Sequence, residues 1–142
     1  DGPVRGSKLL GEVLAELRDG VRSAPEAELR ALVLTSAELP PVAWNPVLVA
    51  ADGTRLPSPD GWIEEVGLAL EADSDEFHTS PDDIRRTRER DQLLGSYGIH
   101  TLHFSPRQIR DQPRRVLTLI ESAYRDRPHG FSRAHAAATA PT

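Results

Sequence analysis

The chain has 142 residues, a formal net charge of -5, no cysteine and only 5% aromatic residues. This length suits one domain with a single aliphatic core, and the lack of cysteine excludes disulfides and thiolate metal sites. No apolar run reaches the length of a membrane span and no signal-peptide pattern opens the chain, so we predict a cytoplasmic protein without a membrane segment. Because methionine is absent even at the first position, we expect the chain to be part of a longer protein with a preceding N-terminal domain; an unrecorded start residue is the alternative.

Two amphipathic helices are predicted at the start of the chain. The first lies within residues 1–20, places its leucines at helical spacing and ends at Gly20. The second has Ser23 as its N-cap and Pro25 in its first turn, and Glu26 falls three residues after the cap. This spacing is typical of a capping box, in which Glu26 binds back to the Ser23 amide.

Short strands are predicted in the middle of the chain. Residues 43–50 are strand-like in composition. Residues 59–78 then contain two short strands joined by a tight turn, of which the first begins at Asp60 and the second covers about residues 67–73. This part of the chain therefore predicts a small sheet.

The second strand of this pair separates apolar side chains from acids. Side chains alternate between the two faces of a strand, so Leu68, Leu70 and Ala72 share one face, which suits a core. Glu71 and Asp73 share the other face.

A cluster of three carboxylates is predicted where the two strands meet. Asp60 starts the first strand, and Glu71 and Asp73 lie near the end of the second. Like charges in close contact are costly, and such a cluster persists most easily when a cation fills it. We therefore predict that Asp60, Glu71 and Asp73 bind a divalent metal ion.

Histidines and a long helix follow the acids. His78, in a polar loop, could ligate a metal or accept a proton from an attacking water, or it could be an ordinary surface histidine. A helix starts at Ser80-Pro81 and carries an arginine-rich run over residues 85–90. An acidic pocket beside an arginine-rich face suits a metal-dependent phosphodiesterase, although many proteins that bind no nucleic acid show the same asymmetry.

The C-terminal part of the chain contains one more strand and further helices. Residues 99–104 form the strand, and its His100 and His103 lack metal-ligand spacing, so we interpret them as packing or surface residues. The last helix starts at Pro113. Helical periodicity is lost beyond it, so we predict a mobile tail over residues 126–142.

Taken in order, these motifs resemble the core of PD-(D/E)XK nucleases, and in particular the Vsr-like (very-short-patch-repair-like) endonuclease domain family. Many members of that family form the C-terminal domain of actinobacterial AbiEi-type antitoxins or transcriptional regulators. The matching pieces, which cover roughly residues 20–122, are Arg22-Ser23 with Glu26, Trp44-Asn45-Pro46, Pro59-Asp60, Glu71, Asp73, His78, residues 85–90, Gly98 and residues 104–108. The resemblance implies an α/β, restriction-endonuclease-like fold over residues 21–125, with a small mixed sheet flanked by helices.

The resemblance also implies a function, that of a magnesium-dependent DNA endonuclease in which manganese can substitute. Asp60 and Glu71 would hold the metal ion, and Asp73 would be a further ligand or would support them. His78 would move a proton. Arg88, which stands where related sequences tend to carry an Asp-Arg pair, would neutralise the phosphate, with Arg90 behind it.

Departures from the family pattern leave an alternative open. Asp73 replaces the lysine of the usual (D/E)-x-K motif, although the family commonly has this aspartate. Glu26 has a second interpretation, because a glutamate on the leading helix of such folds often reaches the metal site, and a solvated helix face also explains residues 85–90. The alternative function is a catalytically inactive nuclease-like domain of a transcriptional regulator or antitoxin, which binds nucleic acid, a ligand or a partner protein.

Overall fold

The computed structural model describes residues 9–14, 25–73 and 80–137. The helices are residues 9–14 (α1), Pro25–Leu34 (α2), Pro81–Ser96 (α3), Pro106–Asp111 (α4) and Pro113–Asp126 (α5). The strands are Ala43–Trp44 (β1), Leu48–Ala50 (β2), Arg55–Leu56 (β3), Gly61–Ile63 (β4), Leu68–Ala72 (β5), His100–Phe104 (β6) and Ala134–Ala136 (β7). None of the helices within the described ranges is long and apolar enough to cross a membrane.

A four-stranded mixed sheet forms the centre of the fold, in the order β1-β4-β5-β6. β4 is antiparallel to both β1 and β5, whereas β5 and β6 are parallel. Parallel neighbours need a crossover connection, and α3 provides it. Helices pack on both faces of this sheet. The predicted architecture of a small mixed sheet flanked by helices is therefore correct.

β5 is buried on both faces, and its alternating side chains enter two separate hydrophobic clusters. Leu68 and Leu70 pack in one cluster with apolar residues of α2, α4 and α5. Ala69 packs in the other with Trp62 of β4 and Leu94 of α3. The core face predicted for this strand is correct, and the face that carries the acids is covered by α3.

The strand predicted over residues 43–50 consists of two strands in two different sheets. Asn45 lies between β1 and β2 with a φ of 51°, a left-handed conformation that asparagine adopts more readily than most residues. β1 stays in the central sheet, whereas β2 is the middle strand of a second sheet with the order β3-β2-β7. The chain leaves the central sheet at Asn45, and a strand-like composition does not reveal such a turn.

The prediction of a mobile tail over residues 126–142 is wrong for the part of it that the structure describes. β7 pairs with β2, and Ala134 of β7 is buried in the second hydrophobic cluster. Ahead of that strand, Phe131 packs edge-on against Trp62, with the ring centroids 5.9 Å apart. Pairing with a distant strand orders this segment, and a three-residue strand has too little periodicity to be recognised in a sequence.

Gly67 connects the turn between β4 and β5 with this C-terminal segment. It follows the 3₁₀ turn at residues 64–66 in a left-handed conformation with a φ of 61°. A Cβ atom added at Gly67 would lie 2.6 Å from Cδ1 of Phe131. Glycine alone meets both requirements without strain.

We expect Gly67→Ala to lower the free energy of unfolding by roughly 1–3 kcal/mol, because it adds left-handed backbone strain and a clash with Phe131. Gly95→Ala is the matched control. Gly95 lies in α3, where an added Cβ has no neighbour within 4 Å outside its own helix turn, so alanine should be neutral or stabilise by up to about 1 kcal/mol. Urea unfolding measures both variants, and equal effects at the two glycines would contradict this account of the turn.

Candidate active site

Three ionisable side chains lie side by side on neighbouring strands at one end of the central sheet. The antiparallel register pairs Gly61 of β4 with Leu70 of β5, so Asp60 lies opposite Glu71. The parallel register pairs Glu71 with His103 of β6. Paired residues on adjacent strands point to the same face of a sheet. A row is therefore formed by Asp60, Glu71 and His103. The sequence predicted that Asp60 and Glu71 lie together, but it did not predict His103.

Asp60 is anchored to the backbone of two neighbouring strands. Its Oδ2 accepts a hydrogen bond from the Ala72 amide at 2.8 Å. Its carbonyl accepts a hydrogen bond from the Asn45 amide, also at 2.8 Å. These bonds hold the Asp60 carboxylate beside Glu71, which in its protonated form donates a side-chain hydrogen bond to it.

Glu71 is a buried acid, with 9% of its surface exposed. Burial raises the pKa of Glu71 to about 7, because removal from water disfavours the charged carboxylate. The positive charge of Arg90 opposes this increase, whereas the charge of Asp60 and its hydrogen bond add to it. Near neutral pH Glu71 is therefore protonated for part of the time, and adjacent acids of this kind are typical of a site that a cation would stabilise.

α3 covers this face of the sheet and contributes two charged side chains at consecutive positions. Nη2 of Arg90 donates to Oε2 of Glu71 at 2.9 Å and also to the carbonyl of Ser58. Oδ2 of Asp91 lies 2.8 Å from Nε2 of His103. The helix thus supplies a positive partner for the buried acid and a negative partner for the histidine.

His103 lies between two carboxylates. Its Nδ1 is 3.3 Å from Oδ1 of Asp73, and its Nε2 faces Asp91. The hydrogen bonds to Asp73 and Asp91 raise the pKa of His103 to about 9, against the opposing effect of burial. His103 is therefore protonated at neutral pH and donates from both ring nitrogens. The interpretation of His103 as a packing or surface residue does not include this ionic network, to which the partly exposed ring belongs.

Asp73 and Arg88 lie outside the row. Asp73 follows β5, is half exposed and contacts His103. Arg88 is exposed on α3 and makes no hydrogen bond or ion pair with any residue of the described ranges. His78 lies outside the described residues, and its role stays a prediction.

Glu26 is connected to the row through one intervening residue. Its Oε2 accepts a hydrogen bond from Nδ2 of Asn45 at 2.8 Å and lies 3.9 Å from Nη1 of Arg30. The backbone N–H of Asn45 in turn donates to the Asp60 carbonyl. Ser23, the predicted capping partner of Glu26, lies outside the described residues.

The set of donor atoms determines which metal ion the site fits. Within the described ranges, no three histidine, aspartate or glutamate side chains come together as a group able to hold a metal ion. Asp60 and Glu71 form a pair of adjacent carboxylates, while Asp73 is engaged by His103. Mg²⁺ is commonly bound by one or two carboxylates, with water and substrate phosphates in the other positions. The pair therefore offers the number of carboxylate ligands that Mg²⁺ commonly takes from a protein.

The site also contains Arg90, Asp91 and His103. The sequence contains a signal for the first two only. Arg90 and Asp91 precede the buried Leu94 by four and three positions, the spacing of one helix face. That spacing distinguishes them from the exposed arginines earlier in the helix. No comparable signal exists for His103, because its neighbours depend on the pairing of β6 with β5.

We expect the metal-free protein to lose stability as the pH rises from about 4.5 to about 9. The folded-state pKa of Glu71, about 7, lies above its ordinary 4.5, so its contribution is complete below 4.5 and is lost as the pH passes 7. The folded-state pKa of His103, about 9, lies above its ordinary 6.5, so its contribution is complete below 6.5 and is lost as the pH passes 9. Urea unfolding midpoints across this range, with a chelator present, measure the decline.

Two variants separate the contributions to this decline. Glu71→Gln should remove the part between about 4.5 and 7, and His103→Gln the part between about 6.5 and 9. Glu89→Gln, which neutralises an exposed acid on α3, is the matched control and should keep the parent profile. A parent stability profile that rises or stays flat through both pH intervals would contradict the raised pKa values of Glu71 and His103.

Comparison with known proteins assigns no family to this chain: no family model matches it, and no curated protein or solved structure is significantly similar to it.

Proposed function

We propose that this chain is a metal-dependent DNA endonuclease domain of the Vsr-like class, with a restriction-endonuclease-like fold. The observation that carries the proposal is the adjacency of Asp60 and Glu71 on antiparallel strands, with Glu71 buried and its pKa raised to about 7. Two carboxylates in such contact are a sufficient protein ligand set for the magnesium ion of phosphoryl chemistry. Acids with shifted pKa values are also typical of catalytic sites.

The strand arrangement supports the fold part of this proposal. The acids lie on the antiparallel strands β4 and β5, and the crossover helix α3 then leads to the parallel strand β6. Without β2 and β3, the order is α2-β1-β4-β5-α3-β6, which is the order expected of a PD-(D/E)XK core. The second sheet, β3-β2-β7, is an addition to that core.

The residues of the row have distinct tasks in the proposed reaction. Asp60 and Glu71 hold the metal ion, which when bound activates water and stabilises charge on the phosphate. His103, held in its protonated form by Asp73 and Asp91, places a positive charge beside Glu71 and offsets part of the negative charge of the acid pair.

Substrate contacts are assigned to residues outside the row. Residues 81–89 of α3 are largely exposed, and Arg88 within them has no ion-pair partner in the described part of the chain. An exposed guanidinium suits contact with a nucleic-acid backbone, where phosphate contacts position the protein. His78 keeps its proposed role of moving a proton from the attacking water.

A non-catalytic, nuclease-like domain of a transcriptional regulator or antitoxin is the second candidate. The contacts that favour it are the pairing of Arg90 with Glu71 and of His103 with Asp73 and Asp91. These contacts neutralise acids without a metal ion, so they are compatible with a purely structural network. In that case the domain binds nucleic acid or a partner protein without cleaving a substrate.

We expect Asp60→Asn and Glu71→Gln each to reduce Mg²⁺- or Mn²⁺-dependent nicking of supercoiled plasmid by at least about 100-fold. Changes to residues that only support a metal ligand already cost about 10–100-fold, and these substitutions remove the ligand charge itself. Both keep the size of the side chain. Asp126→Asn is the control and should nick at the parent rate, because it changes an exposed acid at the end of α5 that belongs neither to the row nor to α3.

Two outcomes would contradict the assignment. A parent protein that neither binds Mn²⁺ nor nicks plasmid would exclude the endonuclease and leave the non-catalytic domain. Metal-dependent nicking that survives both substitutions would show that cleavage does not take place at the Asp60–Glu71 pair.

A further inference from the structure

The position that holds lysine in the usual (D/E)-x-K motif is occupied by Asp73, so β5 itself supplies no basic side chain next to Glu71. Two cations of the described residues contact the acids of the site. His103 contacts Asp73 and Asp91, and both of its ring nitrogens are engaged. Arg90 contacts Glu71 directly. Of these two cations, Arg90 is therefore the one hydrogen-bonded to the acid pair.

Arg90 spans the two strands that carry the acid pair. Its Nη2 donates to Oε2 of Glu71 on β5 and to the carbonyl of Ser58, two residues before Asp60. Its Nε is shielded from solvent and has no hydrogen-bond partner within the described ranges. An unused buried donor is costly, so the guanidinium retains a capacity for a further acceptor that these contacts do not satisfy.

We propose that Arg90 is the basic residue of this active site: it neutralises Glu71 when no metal ion is bound, competes with the ion for that carboxylate, and binds the phosphate of the nucleic acid once released. The inference rests on the proposed endonuclease function and assigns one further residue to it. α3, through Arg90, supplies the positive charge that position 73 does not provide.

The competition follows from the geometry of Glu71. Oε2 is occupied by Arg90 at 2.9 Å, and the same carboxyl group also interacts with Asp60 on the neighbouring strand. A metal ion held by Asp60 and Glu71 would therefore compete with the guanidinium for the charge of Glu71, because two cations repel each other at short range. A released guanidinium then needs a new anion, and its planar set of donors matches a phosphate.

The proposal predicts opposite effects on two measurements. Arg90→Gln should bind Mn²⁺ about tenfold more tightly in the absence of nucleic acid, because one charge-assisted hydrogen bond no longer competes for Glu71. At saturating Mn²⁺ the same variant should nick plasmid on the order of 100-fold more slowly, because the contact to the phosphate is lost. A purely structural role of Arg90 would instead weaken both binding and nicking.

Calorimetric Mn²⁺ titration and plasmid nicking are measured on the full chain for the parent, Arg90→Gln, Arg90→Lys and Arg55→Gln. Arg90→Lys keeps the charge but not the planar fork, so it should fall between the parent and Arg90→Gln in both measurements. Arg55→Gln removes an exposed guanidinium from β3 in the second sheet and should equal the parent. If Arg90→Gln does not fold, the lysine variant decides: tighter Mn²⁺ binding with slower nicking supports the proposal, and parent values overturn it.

The two proposals fail in distinguishable ways. A parent that binds Mn²⁺ and nicks plasmid, together with a folded Arg90→Gln whose Mn²⁺ affinity is unchanged or weaker, overturns the role of Arg90 alone. A parent that neither binds nor nicks overturns the endonuclease, and the role of Arg90 in it as well.

Discussion

The burial of the Glu71 carboxylate is the constraint on which this site depends. β5 is covered on both faces, so the side chain is largely withdrawn from water, and a carboxylate in that position is costly unless partners satisfy it. The Arg90 guanidinium provides one partner, and the hydrogen bond of protonated Glu71 to Asp60 provides another. Since Arg90 belongs to α3, the packing of that helix on the sheet and the ionisation of the site are coupled. A change in the packing of α3 therefore alters the ionisation of the site, and a change in ionisation alters the packing of the helix.

The balance of charge within the site separates the two candidate functions. The carboxylates are Asp60, Glu71, Asp73 and Asp91, and the cations are Arg90 and His103. Even with Glu71 protonated, negative charge exceeds positive charge among these side chains. This excess favours a further cation, which the endonuclease requires and the non-catalytic domain does not. The ion pairs already present explain how the acids coexist before such a cation binds.

Local patterns in the sequence determined the parts of the protein that depend on near neighbours in the chain. The alternation along β5 separates core residues from acids, as the two hydrophobic clusters show. Two helix starts follow from residue type in the same way: the Ser80 hydroxyl accepts from the Asp83 amide at 3.2 Å, and the Ser105 hydroxyl from the Gln108 amide at 3.0 Å. Asp60 and Glu71 were predictable as partners because a tight turn joins their strands.

Tertiary structure alone decided which distant residues meet. The parallel register of β5 and β6 places His103 beside Glu71, and the crossover of α3 brings Arg90 to the same carboxylate. The pairing of β7 with β2 orders a segment whose sequence resembles a mobile tail. A strand's own residues specify which of its faces is apolar but not which strand lies next to it, because backbone hydrogen bonds are the same for any partner. The sequence thus determined the acids, the caps and the core face, whereas long-range pairing determined the network in which the acids take part.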